Sequence, residues 1–147
     1  MKVALAADHA GVELKAELVA QCRALGHEPV DLGPTSTDSC DYPDFAAKVA
    51  GAVAAGEAAL GVLVCGTGIG MSMAANKVRG VRAAVCRTEY EARLTRAHND
   101  ANVLCLGQRV TGAGLAAEIL RAFLATAFEG GRHARRVEKL AAAEGGR

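Results

Sequence analysis

The sequence predicts an α/β protein: a single domain on a doubly wound, Rossmann-like parallel sheet of about five strands, with helices on both faces. Three observations support this fold class. Short apolar runs alternate with segments of helical periodicity along the whole chain, which is the pattern of a parallel sheet with covering helices. The runs are almost continuously apolar, as in strands buried on both faces. A length of 147 residues suits one domain, 1–147, and is too short for an α/β barrel of about 250 residues.

The first half of the chain supplies two strands and two helices. Val3–Ala7 is an apolar run that ends in polar residues, so we predict a buried strand followed by a loop. Gly11–Leu25 has apolar residues at helical spacing and is closed by a glycine. Glu28–Leu32 is a second short strand, and a polar loop follows it. Pro43–Ala55 is predicted as a helix because proline suits a first helical position.

The second half continues the same alternation of apolar runs and periodic segments, with the strongest strand signal at its start. The predicted strands are Leu60–Cys65, Arg82–Cys86 and Asn102–Leu106. The predicted helices are Met71–Lys77, Glu89–Ala97, Gly114–Ala127 and Arg132–Ala143. Ligands of such sheets bind beyond the carboxyl ends of the strands, so the residues at those ends are the first candidates for function.

Composition excludes several classes of protein. Five cysteines, an odd number, occur without any C-x-x-C pair, which argues against a disulfide scaffold or a zinc ribbon and predicts a cytoplasmic location. The first apolar run is shorter than the roughly 7–15 residues of a signal peptide core, and no stretch approaches the ~18 apolar residues of a membrane span. Aromatic residues are 3% of the chain and the net charge is +1, which disfavours a nucleic-acid partner.

Charge is distributed unevenly along the chain. Residues 1–78 carry five basic and nine acidic side chains, a net of −4, whereas residues 79–147 carry twelve and seven, a net of +5. Eleven of those twelve basic residues are arginines. The planar guanidinium group suits phosphate and carboxylate ligands. A coding bias towards arginine is the alternative explanation.

A glycine-rich loop joins the strongest strand to the next helix. Gly66, Gly68 and Gly70 form a G-x-G-x-G pattern. A dinucleotide fingerprint needs a further glycine where Met71 stands, and an acidic residue after the next strand, where Arg87 stands. The loop therefore indicates either a nest of backbone N–H groups that binds an anion or a tight turn that needs glycine for its φ angles. The loop alone supports both equally.

Cys65 is the last residue of the strand that enters this loop. A free cysteine is most often a small buried hydrophobic residue. The alternative is a thiolate stabilised by the helix N-terminus and usable as a base or nucleophile. The other cysteines have no such neighbourhood, and we interpret them as structural: Cys22, Cys40, Cys86 and Cys105.

Two polar clusters interrupt the apolar pattern. Asp8-His9 follows the first strand directly, and His98-Asn99-Asp100 stands between a helix and a strand. Neither cluster has metal-ligand spacing, and no two of the four histidines lie four residues apart, so we predict no metal site. A lone histidine in a loop is more often solvated than catalytic, but two such clusters around one sheet favour function.

Arginines open the last predicted helix, after two consecutive glycines. Arg132, Arg135 and Arg136 lie in its first turns, where each cation opposes the helix dipole by about 0.3–1 kcal/mol. A bound phosphate would offset that repulsion, whereas a solvated or partner-binding basic tail is the alternative. Arg109, just after a strand, is a further phosphate-binding candidate.

Seven short motifs together form a specific combination: Ala7–Gly11, Asp41–Pro43, Cys65–Ser72, Ala74–Lys77, His98–Val103, Gly107–Arg109 and Glu129–His133. This combination resembles the ribose-5-phosphate isomerase B family, which is grouped with the galactose-6-phosphate isomerase subunits. The resemblance covers roughly residues 1–144. It implies an aldose–ketose isomerase that interconverts ribose 5-phosphate and ribulose 5-phosphate through an enediolate, without metal or cofactor.

The resemblance also implies a role for each candidate residue. Cys65 would be the base, since this chain lacks the glutamate that some members carry inside the glycine loop. The backbone of Gly66, Gly68 and Gly70 would form the anion hole, and His98 with Thr67 nearby would open the sugar ring. The remaining substrate-binding positions, for hydroxyl groups and phosphate, are Asp8, His9, Tyr42, Ile69, Ser72, Asn99, Arg109, Arg132 and Arg136.

The resemblance further implies a homodimer or homotetramer with active sites at the subunit interface. The C-terminal helix, about 132–143, would then reach a partner subunit. Two alternatives stay open for the activity. One is an isomerase of another aldose phosphate, a tetrose or a hexose phosphate. The other is a non-catalytic sugar-phosphate sensor, which would need the arginines and the glycine loop but no Cys65 base.

Overall fold

The computed structural model describes residues 1–145 and shows strands and helices in the predicted alternation. The strands are β1 Lys2–Ala7, β2 Glu28–Asp31, β3 Leu60–Cys65, β4 Ala83–Val85 and β5 Val103–Gly107. The helices are α1 Val12–Ala24, α2 Tyr42–Ala54, α3 Ile69–Ala75, α4 Glu89–Asn99, α5 Ala113–Ala125 and α6 Arg132–Glu144. The strands form one parallel sheet in the order β2-β1-β3-β5-β4, which confirms the predicted fold class.

Helices cover both faces of the sheet and enclose two apolar cores. Leu18 of α1 and Phe123 of α5 are buried in one core, to which α4 contributes Ala92. Val49 of α2 and Met71 of α3 are buried in the other. Each fully buried large apolar side chain contributes about 1.5–3 kcal/mol. Because aromatic residues are scarce, alanine, valine and leucine supply most of this packing.

The order of the strands places a switch point at the centre of the sheet. After β1 the chain adds β2 on one side and then β3 on the other side of β1. Helices leave the two strands in opposite directions at such a point, which opens a crevice at their carboxyl ends. We call this side, where the strands end, the carboxyl end of the sheet, and the side where they begin the amino end.

Two helix boundaries differ from prediction in a way that affects the site. α3 begins at Ile69, two residues before the predicted start, because Gly68 takes a left-handed φ of 81° and turns the chain directly into the helix. α4 continues to Asn99, two residues past the predicted end, and Asp100 ends it with a φ of 45°. The prediction places His98 and Asn99 in a loop, whereas both residues lie in the last helical turn of α4.

The C-terminal helix packs on its own chain. The first turn of α6 lies against the end of α4, and the Glu144 carboxylate accepts a hydrogen bond from the Gly80 amide at 3.0 Å. The two glycines before α6 therefore redirect the chain without detaching the helix. Within residues 1–145, no helix is both long and apolar enough to cross a membrane.

Candidate active site

Three adjacent strands bring the first group of candidate residues together at the carboxyl end of the sheet. In the register of the sheet, Ala7 of β1 lies beside Val64, and Cys65 of β3 lies beside Gly107 of β5. The Asp8 amide donates to the Val64 carbonyl at 3.0 Å, so Asp8 is fixed next to Cys65. Parallel pairing, which the apolar runs predicted, is therefore what places the two residues together.

The glycine loop folds back over Cys65. The Gly68 amide donates a hydrogen bond to the Cys65 Sγ at 3.1 Å, and the thiol is only 5% exposed. Gly68 also passes close to β5: a Cβ there would stand 3.1–3.2 Å from backbone atoms of Leu106. Both the positive φ and this approach require glycine. The sulfur therefore sits where a thiolate would receive a backbone hydrogen bond at the start of α3.

Thr67, Ile69 and Ser72 complete the loop around this turn. The Ile69 amide donates to the Thr67 hydroxyl at 3.3 Å, and the Ser72 hydroxyl donates to the Ile69 carbonyl at 2.8 Å. Thr67 and Ile69 are exposed, whereas Ser72 is half-buried. Gly70 lies under the ring of Tyr42, since a Cβ at Gly70 would stand 2.9 Å from that ring. Tyr42, at the start of α2, thus covers the loop as a candidate substrate contact.

His9 is oriented by a residue that we had interpreted as structural. The Cys40 amide donates a hydrogen bond to the His9 Nδ1 at 3.2 Å. The same Nδ1 lies 3.2 Å from the Cys40 carbonyl oxygen, so the Cys40 backbone holds the ring in place. The polar loop before α2 folds over the end of β1, so Cys40 contacts a candidate residue through its backbone, and its interpretation as structural stays a prediction. Nothing in the spacing of Cys40 indicated this contact.

Arg109 approaches the glycine loop from the segment after β5. Its amide donates to the Gly66 carbonyl at 3.0 Å, and its guanidinium lies over Gly66, where a Cβ would stand 3.3 Å from Nη1. The preceding residue, Gln108, joins this segment to α1 by accepting the Leu14 amide hydrogen bond at 3.0 Å. Sequence reasoning missed Gln108, although its place between two motif residues was the available signal.

The remaining cysteines differ from Cys65 in their surroundings. Burial raises the pKa of the Cys86 thiol to about 12. Burial is also the main cause that raises the pKa of Cys22, and it raises that of Cys105 well above its usual range. These three thiols stay protonated at neutral pH, which agrees with the interpretation of each as a small hydrophobic residue.

A second group of candidates lies at the amino end of the sheet. His98 and Asn99 occupy the last turn of α4, which leads into the start of β5. Asp100, the residue that ends α4, accepts hydrogen bonds from Arg82 and Arg96, each at 3.0 Å. These two ion pairs fix the end of the helix and therefore the direction in which His98 projects.

His98 meets the beginning of α6. Its ring stacks on the ring of His133, with centroids 4.1 Å apart and planes 9° from parallel. Glu129 lies beside both rings, with its Oε2 at 3.9 Å from the His98 Nε2 and 3.7 Å from the His133 Nε2. Burial, the charge of His98 and nearby arginines lower the pKa of His133. Arg132 and Arg136 flank this cluster on α6.

The cluster of His98, Glu129 and His133 is the group among residues 1–145 whose donor atoms could approach one metal ion, since they lie within 4.8 Å of one another. Its geometry does not fit a tetrahedral site, because parallel rings direct their lone pairs side by side and not towards one point. Arg132 and Arg136 also oppose a cation here. That the protein uses no metal stays a prediction.

The two groups of candidates are too far apart to meet within one chain. β5 separates them: His98 precedes its first residue, and Arg109 follows its last. Four strand steps span about 13 Å, several times a hydrogen-bond distance. The candidate residues therefore form two groups, which we call the carboxyl half-site, around Asp8 and Arg109, and the amino half-site, around His98 and Arg136. The carboxyl half-site consists of Asp8, His9, Tyr42, Cys65, Gly66, Thr67, Gly68, Ile69, Gly70, Ser72 and Arg109, and the amino half-site of His98, Asn99, Arg132 and Arg136.

Comparison with known proteins places this geometry among isomerases. Residues 3–140 match the family model described as Ribose/Galactose Isomerase. The chain is 50% identical over 143 residues to ribose-5-phosphate isomerase B of Escherichia coli, covering 97% of this chain and 96% of that protein.

Solved structures agree with the sequence match. The ribose-5-phosphate isomerase B of Clostridium thermocellum superposes with a TM-score of 0.97 at 50% identity, covering 99% of this chain and 98% of that one. The type B ribose 5-phosphate isomerase of Trypanosoma brucei superposes with a TM-score of 0.95 at 52% identity, covering 97% of each chain. Both likenesses extend over the elements that carry the two half-sites.

Proposed function

The chain belongs to the ribose/galactose isomerase family, and on that premise we propose how its residues interconvert ribose 5-phosphate and ribulose 5-phosphate. The reaction moves one hydrogen from C2 to C1 of the open-chain sugar and one from O2 to O1. Electrons are redistributed within the substrate, so the step balances without an external oxidant or reductant. The protein must therefore supply a base, a stabiliser of the enediolate, a group that opens the ring and a site for the phosphate.

Cys65 is the base, and its hydrogen bond from the Gly68 amide is the observation that supports this most directly. The thiolate takes the proton from C2, and the resulting thiol returns it to C1. A thiolate beside a backbone N–H and a helix N-terminus is favoured over one in an apolar site. The burial of Cys65, 5% exposed, keeps water from exchanging the carried proton freely.

The backbone of the glycine loop stabilises the enediolate that forms between the two proton transfers. The Gly68 amide lies beside the Cys65 sulfur, and α3 begins at the next residue, so the amide N–H groups of this loop are the donors nearest to the base. Loss of one such donor typically costs about 10²–10³ in rate. Asp8, His9, Tyr42 and Asn99 would bind the sugar hydroxyls or phosphate around this point, and Ile69 and Ser72 border it.

Ring opening and phosphate binding need residues from both half-sites. His98, assisted by Thr67 from the loop, would protonate the ring oxygen and remove the proton from O1 of the furanose. Arg109 faces the glycine loop, while Arg132 and Arg136 lie beside His98. Within residues 1–145 these three arginines form no ion pair. Their guanidinium groups are therefore available for charge-assisted hydrogen bonds to phosphate.

We infer that the working unit is at least a homodimer, in which the amino half-site of one copy faces the carboxyl half-site of another. The length of β5 supports this, since one chain cannot bring His98 to Cys65. Ile69 and Met73, one turn apart on α3, expose 42% and 61% of their surface beside the carboxyl half-site. A second copy would cover this apolar surface. A homotetramer, in which two such dimers associate, satisfies the same requirement.

The cellular setting follows from the same proposal. Five free cysteines suit a reducing compartment, which supports a cytoplasmic location. The interconverted sugars are pentose phosphates, which supports a place in the pentose phosphate pathway. We propose that the enzyme needs no cofactor, because the hydrogen that leaves C2 is the one returned at C1.

Replacement of the base tests the proposed activity. Cys65→Ala should lower kcat for ribose 5-phosphate by about 10²–10⁴, the usual contribution of a positioned acid–base group, while leaving phosphate binding intact. Cys22→Ala is the matched control, because Cys22 is buried in the apolar core at the end of α1, away from the carboxyl half-site, and it should keep near-normal activity. Treatment with a chelator should not change the rate. Full activity in Cys65→Ala would remove Cys65 from the mechanism.

A second substrate separates ring opening from proton transfer. A tetrose 4-phosphate cannot close a furanose ring, since its O4 carries the phosphate. His98→Asn should therefore lose most activity on ribose 5-phosphate and little on the tetrose phosphate, whereas Cys65→Ala should lose both. Equal losses of the two activities in His98→Asn would contradict the ring-opening role.

A further inference from the structure

The stacked pair of His98 and His133 joins two helix ends of opposite polarity. His98 lies in the last turn of α4, where the partial negative charge of the helix favours an imidazolium. His133 lies in the first turn of α6, where the partial positive charge opposes one. Ring centroids 4.1 Å apart cannot both carry a proton without strong repulsion. The stacked arrangement therefore suits a neutral His133 ring.

Burial, like the position at a helix N-terminus, disfavours a charge on the His133 ring. The His133 side chain is 9% exposed and that of His98 is 33% exposed, so charging His133 costs more desolvation. The charged groups around the pair agree. On α6, Arg132 and Arg136 oppose a proton on His133. On α4, Arg96 is neutralised by its ion pair with Asp100.

Glu129 completes the arrangement from the segment between α5 and α6. Its amide donates to the Ala97 carbonyl at 3.0 Å, which fixes this segment to the end of α4. Its carboxylate stands 3.9 Å from the His98 Nε2 and 3.7 Å from the His133 Nε2. A single carboxylate at nearly equal distance from both rings holds both Nε2 atoms towards one side.

We propose that His133 and Glu129 are positioning residues for His98: the His133 ring fixes the plane of the His98 ring, and Glu129 fixes the direction of the His98 Nε2 atom. This inference rests on the proposed function, in which His98 donates a proton to the sugar ring. A neutral His133 acts as a flat, buried support for the ring that faces substrate.

Histidine NMR tests the protonation of His133 without any assay of activity. The Hε1 signals are followed against pH in the full-length protein and assigned with His98→Asn and His133→Asn. We expect His133 to gain a higher pKa in His98→Asn, because the charge of His98 is one of the causes that lower it. Glu129→Gln should lower the His133 pKa further, because the Glu129 carboxylate raises it. Glu138→Gln removes an exposed acid from α6, the helix that carries His133. It is the control and should leave the His133 pKa unchanged.

Kinetics test the positioning. Glu129→Gln should lower kcat for ribose 5-phosphate a few-fold, with KM nearly unchanged. His133→Phe keeps a flat ring and should retain kcat within a few-fold, whereas His133→Ala should lower it at least ten-fold. A His133 ring that is charged at neutral pH, or a His133→Ala variant with unchanged kcat, would overturn the proposal. Correct titrations in a protein that does not isomerise ribose 5-phosphate would instead refute the proposed function alone.

Discussion

Mixing two inactive variants should restore activity, because each half-site is complete in only one of them. Cys65→Ala destroys the carboxyl half-site and leaves the amino half-site, and His98→Asn does the reverse. In a dimer that contains one chain of each kind, one of the two shared sites carries both substitutions. The other site carries neither, so it is of wild-type composition.

The expected recovery can be worked out from the geometry. The half-sites lie about 13 Å apart along β5, against about 3 Å for a hydrogen bond, so no site is completed within a chain. Random exchange of equal amounts gives about half mixed dimers with one intact site each, hence about a quarter of wild-type activity. Each variant alone should retain about 1% or less, so mixing should raise the activity roughly 25-fold.

The assay follows ribulose 5-phosphate formation after the variants have been co-expressed with different tags, both in the random mixture and in the isolated mixed species, which should have about half of wild-type activity because one of its two sites is intact. Co-expression avoids any dependence on slow exchange of folded subunits. A mixture of Cys65→Ala with Cys65→Ser is the control and should gain nothing. A mixed species of Cys65→Ala and His98→Asn chains with no more activity than its parents would refute the reasoning from strand length.

Two further predictions concern stability. Gly107→Ala should lower the free energy of unfolding by about 1–3 kcal/mol, because the new Cβ would stand 2.6 Å from the Thr67 backbone. Gly112→Ala is the control, because a Cβ there meets nothing within 4 Å. Urea denaturation midpoints of the two variants test the difference. Burial raises the Cys86 pKa from 9.0 to about 12, so the unfolded chain ionises first. Stability should fall from pH 9 towards 12 by about 1.4 kcal/mol per unit for this thiol, less steeply in Cys86→Ala.

Much of the site was predictable because its residues follow the strands directly. Asp8 and Cys65 come immediately after or at the end of apolar runs, and parallel strands end on the same side of a sheet. The order of elements also indicates that the site is divided, because Cys65 ends one strand whereas His98 precedes another. The prediction that His98 lies in a loop was wrong, because α4 continues two residues further and the ion pair of Arg96 with Asp100 stabilises its end.

Contacts between segments distant in sequence were not predictable. Cys40 reaches His9 across 31 residues, and His133 stacks on His98 through a turn at Gly130 and Gly131, with φ angles of 65° and 54°. Periodicity reports which face of one element is apolar, but it carries no information about where a loop returns. The polarity of the two helix ends that meet at the histidines therefore appears only in the folded chain.

The sequence by itself determined the parallel sheet, the glycine loop and the chemistry of the residues around Cys65, because apolar period, glycine spacing and side-chain type are local properties. The tertiary structure decided that the candidate residues divide into two half-sites, since only the register of β5 against β3 fixes the distance between them. It also decided the environment of His98. The orientation of that ring depends on its contacts with His133 and Glu129, which form when α6 packs on α4.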